Sequence, residues 1–286
     1  MFIVMGGTGH VGSAVAGSLL AAGHEVTIVT RDADRARSRW QGTRARIAQA
    51  DANDPDSLRT VFRQGRRAFL LNPPADPGTD TDVVERRTVA GILRALEGSG
   101  LEKVVAASTG GARPGERIGD LSVLWELEEG LHRQAIPAAI NRAGFYMSNW
   151  DSQLPAVRES GTLTSLYPAD ARLPMAAPKD LGAAAARRLL SPLDDVGTQH
   201  VEGPERYTAA DVAGAFSRAL HRPVKVSVVP RDQWRAMFRQ LGFSEAAAES
   251  YARMTAASLD DLQVPDEATR GSITLDAYVR ELVARS

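Results

Sequence analysis

No cysteine occurs in the 286 residues, which excludes disulfides, thiolate nucleophiles and cysteine-ligated metal centres together. Lysine is nearly as scarce: Lys103, Lys179 and Lys225 are the only three, and arginine carries the rest of the positive charge. The formal net charge is −1, so the composition offers no argument for a nucleic-acid partner or an anionic membrane surface. No apolar run approaches the ~20 residues of a membrane-spanning helix. The N-terminal apolar run is too short and lacks the basic leader of a secretory signal, which points to a cytoplasmic protein. The histidines at positions 10, 24, 132, 200 and 221 show no metal-ligand spacing, and none is assigned to catalysis.

What is present is organised around Met1-Phe-Ile-Val-Met-Gly-Gly-Thr-Gly-His-Val-Gly12. Phe2 to Met5 are bulky without alternation, as in a strand buried on both faces of a parallel sheet. The glycines that follow supply positive φ, close approach of backbone to a pyrophosphate, and tight helix–strand contact. Val11, Val15, Leu19 and Ala22 then recur at helical spacing up to Gly23. The N-terminus of that helix would aim free N–H groups and a positive dipole end at phosphate. Gly6, Gly7, Thr8, Gly9, His10, Val11 and Gly12 are therefore the expected phosphate-loop contacts, with a plain glycine-rich turn as the alternative. A second apolar run, Glu25 to Thr30, ends in Arg31, nineteen residues past Gly12. An acid at such a position would favour a free ribose 2′-hydroxyl, whereas Arg31 favours a 2′-phosphate, hence NADP(H) over NAD(H). Arg35, Arg37 and Arg39 add to the cluster or form a solvated helix face.

Strand and helix alternate through the first half. Arg46 to Ala50 reads as a third strand, and Asp54 or Asp56 caps the helix that follows. Asp51 and Ala52 then fall at a strand's carboxyl end, within reach of an adenine ring, or form a simple turn. Arg67 to Leu71 is a fourth strand, which Asn72-Pro73-Pro74 stops abruptly because proline cannot donate to a ladder. A helix spans about Thr81 to Ser99, and Lys103 to Ala107 leads to Ser108-Thr109. Asp120 is expected to cap a helix carrying Leu121, Leu124 and Glu128, and Pro137 to Asn141 is a sixth strand. Right-handed crossovers assemble these units into a Rossmann-type, doubly wound parallel sheet with the ligand crevice at the strands' carboxyl ends.

From about Asp151 onward, helical segments dominate. The expected division is a nucleotide-binding domain over 1–150 and a smaller, mostly helical substrate lobe over 151–286, with segments free to interleave. Gly161 to Leu166 and Val224 to Val229 are short strand candidates, and 178–190 and 208–220 are helices. Trp234, Met237, Phe238 and Leu241 share a helical face, either as core or as the lining of an apolar substrate pocket.

Gly6-Gly-Thr-Gly-His-Val-Gly12, Arg31, the Asn72-Pro73-Pro74 exit, Ser108-Thr109-Gly110 and Asn141-Arg-Ala-Gly-Phe-Tyr-Met-Ser-Asn-Trp150 together resemble the NmrA-like branch of atypical short-chain dehydrogenases/reductases. Gly203-Pro204-Glu205, Thr208 and Asp211 extend the resemblance into the last third. It implies NADP(H) as cofactor, held by the glycine loop, Arg31, Asp51, Ala52, Leu71, Asn72, Pro73, Ser108 and Thr109. It also implies either a quinone, azo or related reductase or a protein that binds NADP without turnover.

One departure bears on chemistry. Short-chain reductases usually carry a Tyr followed four residues later by a Lys, but Tyr146, Tyr167, Tyr207, Tyr251 and Tyr278 are followed at that spacing by Trp150, Ala171, Asp211, Thr255 and Leu282. A hydride acceptor such as a quinone can still be reduced if positioning suffices and water supplies the proton. Ser108 is then expected to hydrogen-bond a substrate carbonyl, Tyr146 to cover nicotinamide or substrate, and Glu128 to act as a proton shuttle. Core packing of Tyr146 and a solvated Glu128 are the alternatives. Two classes follow: an NADPH-dependent reductase acting on a small apolar acceptor, or an NADP(H) sensor that signals to a protein partner, with a homodimer open in either case.

Overall fold

The computed structural model of the chain describes residues 1–262 and 264–285. The first half alternates as β1 (Phe2–Met5), α1 (His10–Ala21), β2 (Val26–Thr30), α2 (Ala33–Arg39), β3 (Arg46–Gln49), α3 (Pro55–Phe62), β4 (Arg67–Leu70), α4 (Thr81–Leu96), β5 (Lys103–Thr109), α5 (Asp120–His132) and β6 (Ala138–Ala143). The strands pair in parallel; β1, β2, β4, β5 and β6 are largely buried, as a sheet covered on both faces requires, while β3 at the edge, Arg-Ile-Ala-Gln, is partly exposed. Asp54 caps α3 by accepting from the N–H groups of Asp56 and Ser57, and Asp80 caps α4 through Val83.

The chain then forms β7 (Phe145–Tyr146), α6 (Leu154–Ser160), β8 (Thr162–Ser165), β9 (Leu173–Ala176), α7 (Pro178–Leu190), β10 (Gly197–Glu202), β11 (Arg206–Tyr207), α8 (Ala209–Leu220), β12 (Lys225–Val228), α9 (Trp234–Gln240), α10 (Glu245–Asp260), β13 (Thr269–Arg270) and α11 (Leu275–Arg285). The eight-stranded sheet has the order β13-β10-β6-β5-β4-β1-β2-β3. Sheet order reverses between β1 and β4, so a crevice opens where α1 and α4 leave in opposite directions. The architecture is a Rossmann-type α/β fold.

One face of the sheet buries Leu58, Phe62, Ile92 and Leu127 under α3, α4 and α5. The other buries Val15, Leu19, Leu181, Ala185 and Leu189 under α1 and α7. Helix α7 comes from beyond residue 150, yet it lies so close to α1 that a Cβ on Gly182 would meet the Ala14 side chain at 2.4 Å. β10 likewise returns to the main sheet beside β6. Its sequence, Gly-Thr-Gln-His-Val-Glu, lacks the apolar run that marked the other strands, and for that reason the sequence reading passed over it. A further core gathers Trp150, from the segment between β7 and α6, with Met175 of β9, Phe216 of α8 and Val279 of α11; the short sheets are β11-β9-β7 and β12-β8. Trp234 and Phe238 of α9 pack against Ala248 of α10, with Phe243 and Tyr251 edge-on around them.

Two expectations need correction. Asp120 is the first helical residue of α5 rather than its cap; Gly119 takes the cap position at φ +52° with no side-chain hydrogen bond. A glycine is required there by the positive φ, and also because a Cβ would press on the Met254 sulfur at 2.8 Å. β6 also runs two residues past Asn141, which carries Arg142 onto the strand.

Candidate active site

The glycine loop joins β1 to α1 at the carboxyl edge of the sheet. Gly6 adopts φ +67°, and the Gly9 N–H closes the turn onto the Gly6 carbonyl at 2.9 Å. Gly7 and Gly12 have no room for a side chain: a Cβ would meet Ile28 at 2.6 Å and the Gly6 carbonyl oxygen at 2.2 Å respectively. Gly9 differs. A Cβ there would meet nothing in the protein closer than the Gly6 oxygen at 3.4 Å. The loop is thus closed on its protein side and open on the side where a phosphate would approach. No side chain caps α1, so the N–H groups of its first turn, from His10, Val11 and Gly12, remain available to an anion. Thr8 is half-buried, and His10 is exposed at the tip. These residues fit a dinucleotide pyrophosphate.

Arg31 lies at the carboxyl end of β2, exposed, its guanidinium forming no ion pair with any described residue. Asp51 and Ala52 follow β3 on the same edge. The Asp51 carboxylate accepts from the Asn53 backbone and side-chain nitrogens at 2.9 and 3.2 Å, which shapes the turn. Arg37 pairs with Asp34 at 2.6 Å, while Arg39 reaches Ser13 at 3.2 Å. The sequence reading missed Trp40, whose indole N–H donates to the Gly7 carbonyl at 2.9 Å and braces the loop from behind.

A cavity of about 430 Å³ opens beyond the carboxyl ends of β4, β5 and β6. Leu71 joins the two regions: it lines this cavity, and its side chain sits where a Cβ on Gly6 would meet it at 3.1 Å. Asn72, Thr109 and Tyr146, all expected at the site, also line the cavity. The Asn72 Oδ1 is buried without a hydrogen-bond partner, an acceptor in want of a donor. Pro73 is half-buried in the same exit segment. Tyr146 makes no hydrogen bond to any described residue, and enclosure together with the nearby Asp120 charge pushes its hydroxyl up to about 12. A phenol so held donates a hydrogen bond but is a poor acid near neutrality. Met254 and Ser258 of α10 close the far wall. α10 is fastened over the cavity by the Arg113 guanidinium, which donates to the Ala257 carbonyl at 2.6 Å, and by Ser250, which donates to Asp82.

Ser108 and Glu128 do not line the cavity. Both are 2% exposed, and the Ser108 hydroxyl donates to the Glu128 carboxylate. Arg142 holds the same carboxylate through Nε at 2.9 Å and Nη2 at 2.6 Å. The two-residue extension of β6 that carries Arg142 onto the strand accounts for this: a carboxylate of α5 facing the sheet meets a guanidinium of β6 and a hydroxyl of β5, and all three are consumed by one another.

Two acids line the cavity, Asp120 and Asp261; Asp261 lies 3.8 Å from Arg113, whereas Asp120 makes no ion pair with any described residue. Asp120 is exposed where it lines that hollow. Lost solvation among the surrounding protein atoms and the neighbouring Asp82 charge raise its carboxyl above the ordinary carboxylate value, outweighing the preference of a helix N-terminus for an anion. Glu85 is buried beside it; desolvation first, then the charge of Asp120, push it up to about 7. The sequence carries no cue to this grouping, because residues 82, 85 and 120 come from two helices that meet only in the folded sheet. Among the described residues no cluster has the makeup of a metal site, and no helix is long and apolar enough to cross a membrane.

Sheet order, glycine loop and cavity define a Rossmann-type protein with a ligand crevice at its switch point. Residues 1–263 match the NmrA-like family, and the chain belongs to it. It is 25% identical over 261 residues to an NAD(P)H azoreductase of Xenophilus azovorans, covering 91% of this chain and 88% of that protein. A (4-alkanoyl-5-oxo-2,5-dihydrofuran-3-yl)methyl phosphate reductase of Streptomyces griseus is 30% identical over 228 residues, 79% of this chain and 76% of that one. Among solved structures, an NADPH-dependent quinone oxidoreductase of Escherichia coli complexed with NADPH superposes with a TM-score of 0.77 at 19% identity, covering 99% of both chains.

Proposed function

We propose that this protein is an NADPH-dependent reductase of small apolar acceptors with extended conjugation, quinones and azo compounds foremost. The observation that carries the reading is the continuity, through Leu71, between an open phosphate cradle and a cavity of about 430 Å³. A dinucleotide whose pyrophosphate rests on Gly9 and the α1 N-terminus projects one end toward Arg31 and the other into the cavity. The related proteins are named for azo, alkanoyl-furanone phosphate and quinone acceptors, and each such group carries a conjugated system that can take up added electron density.

When bound, NADPH supplies a hydride from its dihydronicotinamide. The protein's part is positioning. The backbone of Gly6 to Gly12 holds the pyrophosphate, and Arg31 engages a 2′-phosphate bidentately. Asn72 accepts a hydrogen bond through its orphaned Oδ1. Tyr146 covers the reacting groups and donates a hydrogen bond to the acceptor, while Met254 and Leu124 exclude water. The Ser108–Glu128–Arg142 network fixes the ends of β5 and β6 beneath the acceptor and does not touch it. In this reading α9, α10 and the segments around β7 and β9 make up the substrate lobe, and α7 and β10 complete the nucleotide-binding half.

The test is cofactor oxidation by purified protein with a panel of quinones, azo dyes, conjugated furanones and simple aldehydes, using Gly9→Val as control. Quinones and azo dyes should be reduced fastest and simple aldehydes least. NADPH binding with no acceptor-dependent oxidation across the panel would overturn the enzyme and favour the sensor.

A further inference from the structure

Reduction of a quinone or azo group consumes a proton along with the hydride, and the residues expected from the sequence to supply it are unsuited. Glu128 is locked against Ser108 and Arg142 away from the cavity, and Tyr146 holds its proton too tightly. Two independent features single out another group. First, Asp120 lies on the wall of the same cavity as Tyr146 and forms no hydrogen bond or ion pair with any described residue. Second, Asn72 lines that cavity, and its side-chain oxygen is buried without a hydrogen-bond partner.

We propose that Asp120 is the proton donor for the acceptor; this rests on the reductase reading above. The balance is simple. A hydride from the dihydronicotinamide adds to the acceptor, and the displaced electron pair settles on an acceptor oxygen or nitrogen. The O–H bond of Asp120 breaks as the new O–H or N–H bond forms, leaving a carboxylate that regains a proton from solvent, to which Asp120 is exposed.

The surroundings explain why an acid persists here. From α4, Asp82 and Glu85 lie within electrostatic reach of the group; Arg86 binds Asp82 at 3.1 Å but divides itself with Glu126 at 2.8 Å. Arg117 is held by Asp80 at 3.3 Å, and Arg113 lies 3.8 Å from Asp261. β7 contributes Tyr146 and α10 contributes Tyr251, both neutral phenols raised by burial and by these carboxyls. Asp82 and Glu85 are buried, and with Asp120 beside them the three carboxyls cannot all ionise without mutual repulsion. Asp120 alone of the three opens onto the cavity.

The experiment pairs a cofactor-free measurement with kinetics. Infrared difference spectra between wild type and Asp120→Asn at neutral pH should contain the C=O stretch of a protonated carboxyl, lost in the variant. With a quinone acceptor, wild-type kcat/KM should fall as pH rises through the midpoint at which that band disappears, because the donor works only when protonated. Asp120→Asn should lower kcat about 100-fold, flatten the profile and leave NADPH affinity unchanged, and Asp120→Glu should restore the pH dependence. Absence of the infrared band overturns the inference without recourse to turnover. Full activity and an unaltered pH profile in Asp120→Asn overturn it while leaving the reductase standing. Failure of wild type to reduce any acceptor removes the reductase, and the proton donor with it.

Discussion

The two ends of the crevice are built by opposite strategies. At the proposed nucleotide end, the lining is backbone: Gly7 and Gly12 are packed against Ile28 and the Gly6 carbonyl, Gly9 is left open, and the helix N-terminus has no side-chain cap. Nearly all of it lies within one contiguous stretch of sequence. At the acceptor end, side chains from five separate parts of the chain converge: Asn72, Asp120, Tyr146, Tyr167 and Met254. Beneath them, polar groups are paired in buried networks. Backbone recognition tolerates little change in glycine position but no special side chain, whereas the acceptor end depends on how charges are matched or left unmatched.

That contrast can be broken most forcefully at the buried pair. Glu128→Gln leaves Arg142 without its counter-charge and should cost on the order of 3 kcal/mol of stability, read as a lowered Tm and denaturation midpoint. Should Tm hold while kcat falls, Glu128 would be an acid acting on substrate and the acceptor end would need redrawing. At the other end, Gly9→Val should leave Tm unchanged, since the protein offers no close contact to a Cβ there. It should weaken NADPH and NADH alike by about 100-fold, roughly 2.7 kcal/mol, as measured by calorimetric titration.

Glu85→Gln sharpens the comparison through pH. The folded-state value of Glu85 is raised to about 7, so its protonated form is favoured by folding. Its contribution is fully present below the unfolded carboxylate value of about 4.3 and is lost as pH rises through about 7. The variant should therefore gain on the order of 2 kcal/mol over wild type near about pH 8, with the gain vanishing near about pH 4. Thermal melts across that range decide it. The smallest effect belongs to Arg31→Ala: the preference for NADPH over NADH should drop about 10-fold, roughly 1.4 kcal/mol. An unchanged affinity ratio would mean that another cation reads the 2′-phosphate, with Arg39 the first to substitute.

The same division governs what the sequence revealed. The glycine loop, the order of the first six strands, the exit at Asn72 and the Asp54 cap could be read in advance, because each depends on local spacing or on a residue's intrinsic geometry. Tyr146 was found from its place after a strand. Ser108 and Glu128 were expected to face the substrate; a strand two residues longer than its apolar core brings Arg142 against them instead, and no local signal reports that pairing. Asp120 looked like a helix cap because its neighbours Asp82 and Glu85 lie on a different helix. β10 was passed over because it sits near the sheet's edge with a polar sequence.

The measurement that bears most directly on the central claim is acceptor-dependent NADPH oxidation under anaerobic conditions, with cofactor loss and acceptor reduction followed together for a quinone. A reductase whose cavity adjoins the phosphate cradle through Leu71 should consume NADPH and quinone one for one, and Gly9→Val should abolish both signals in a folded protein. Tight NADPH binding with neither signal, or equal rates from Gly9→Val, would contradict it.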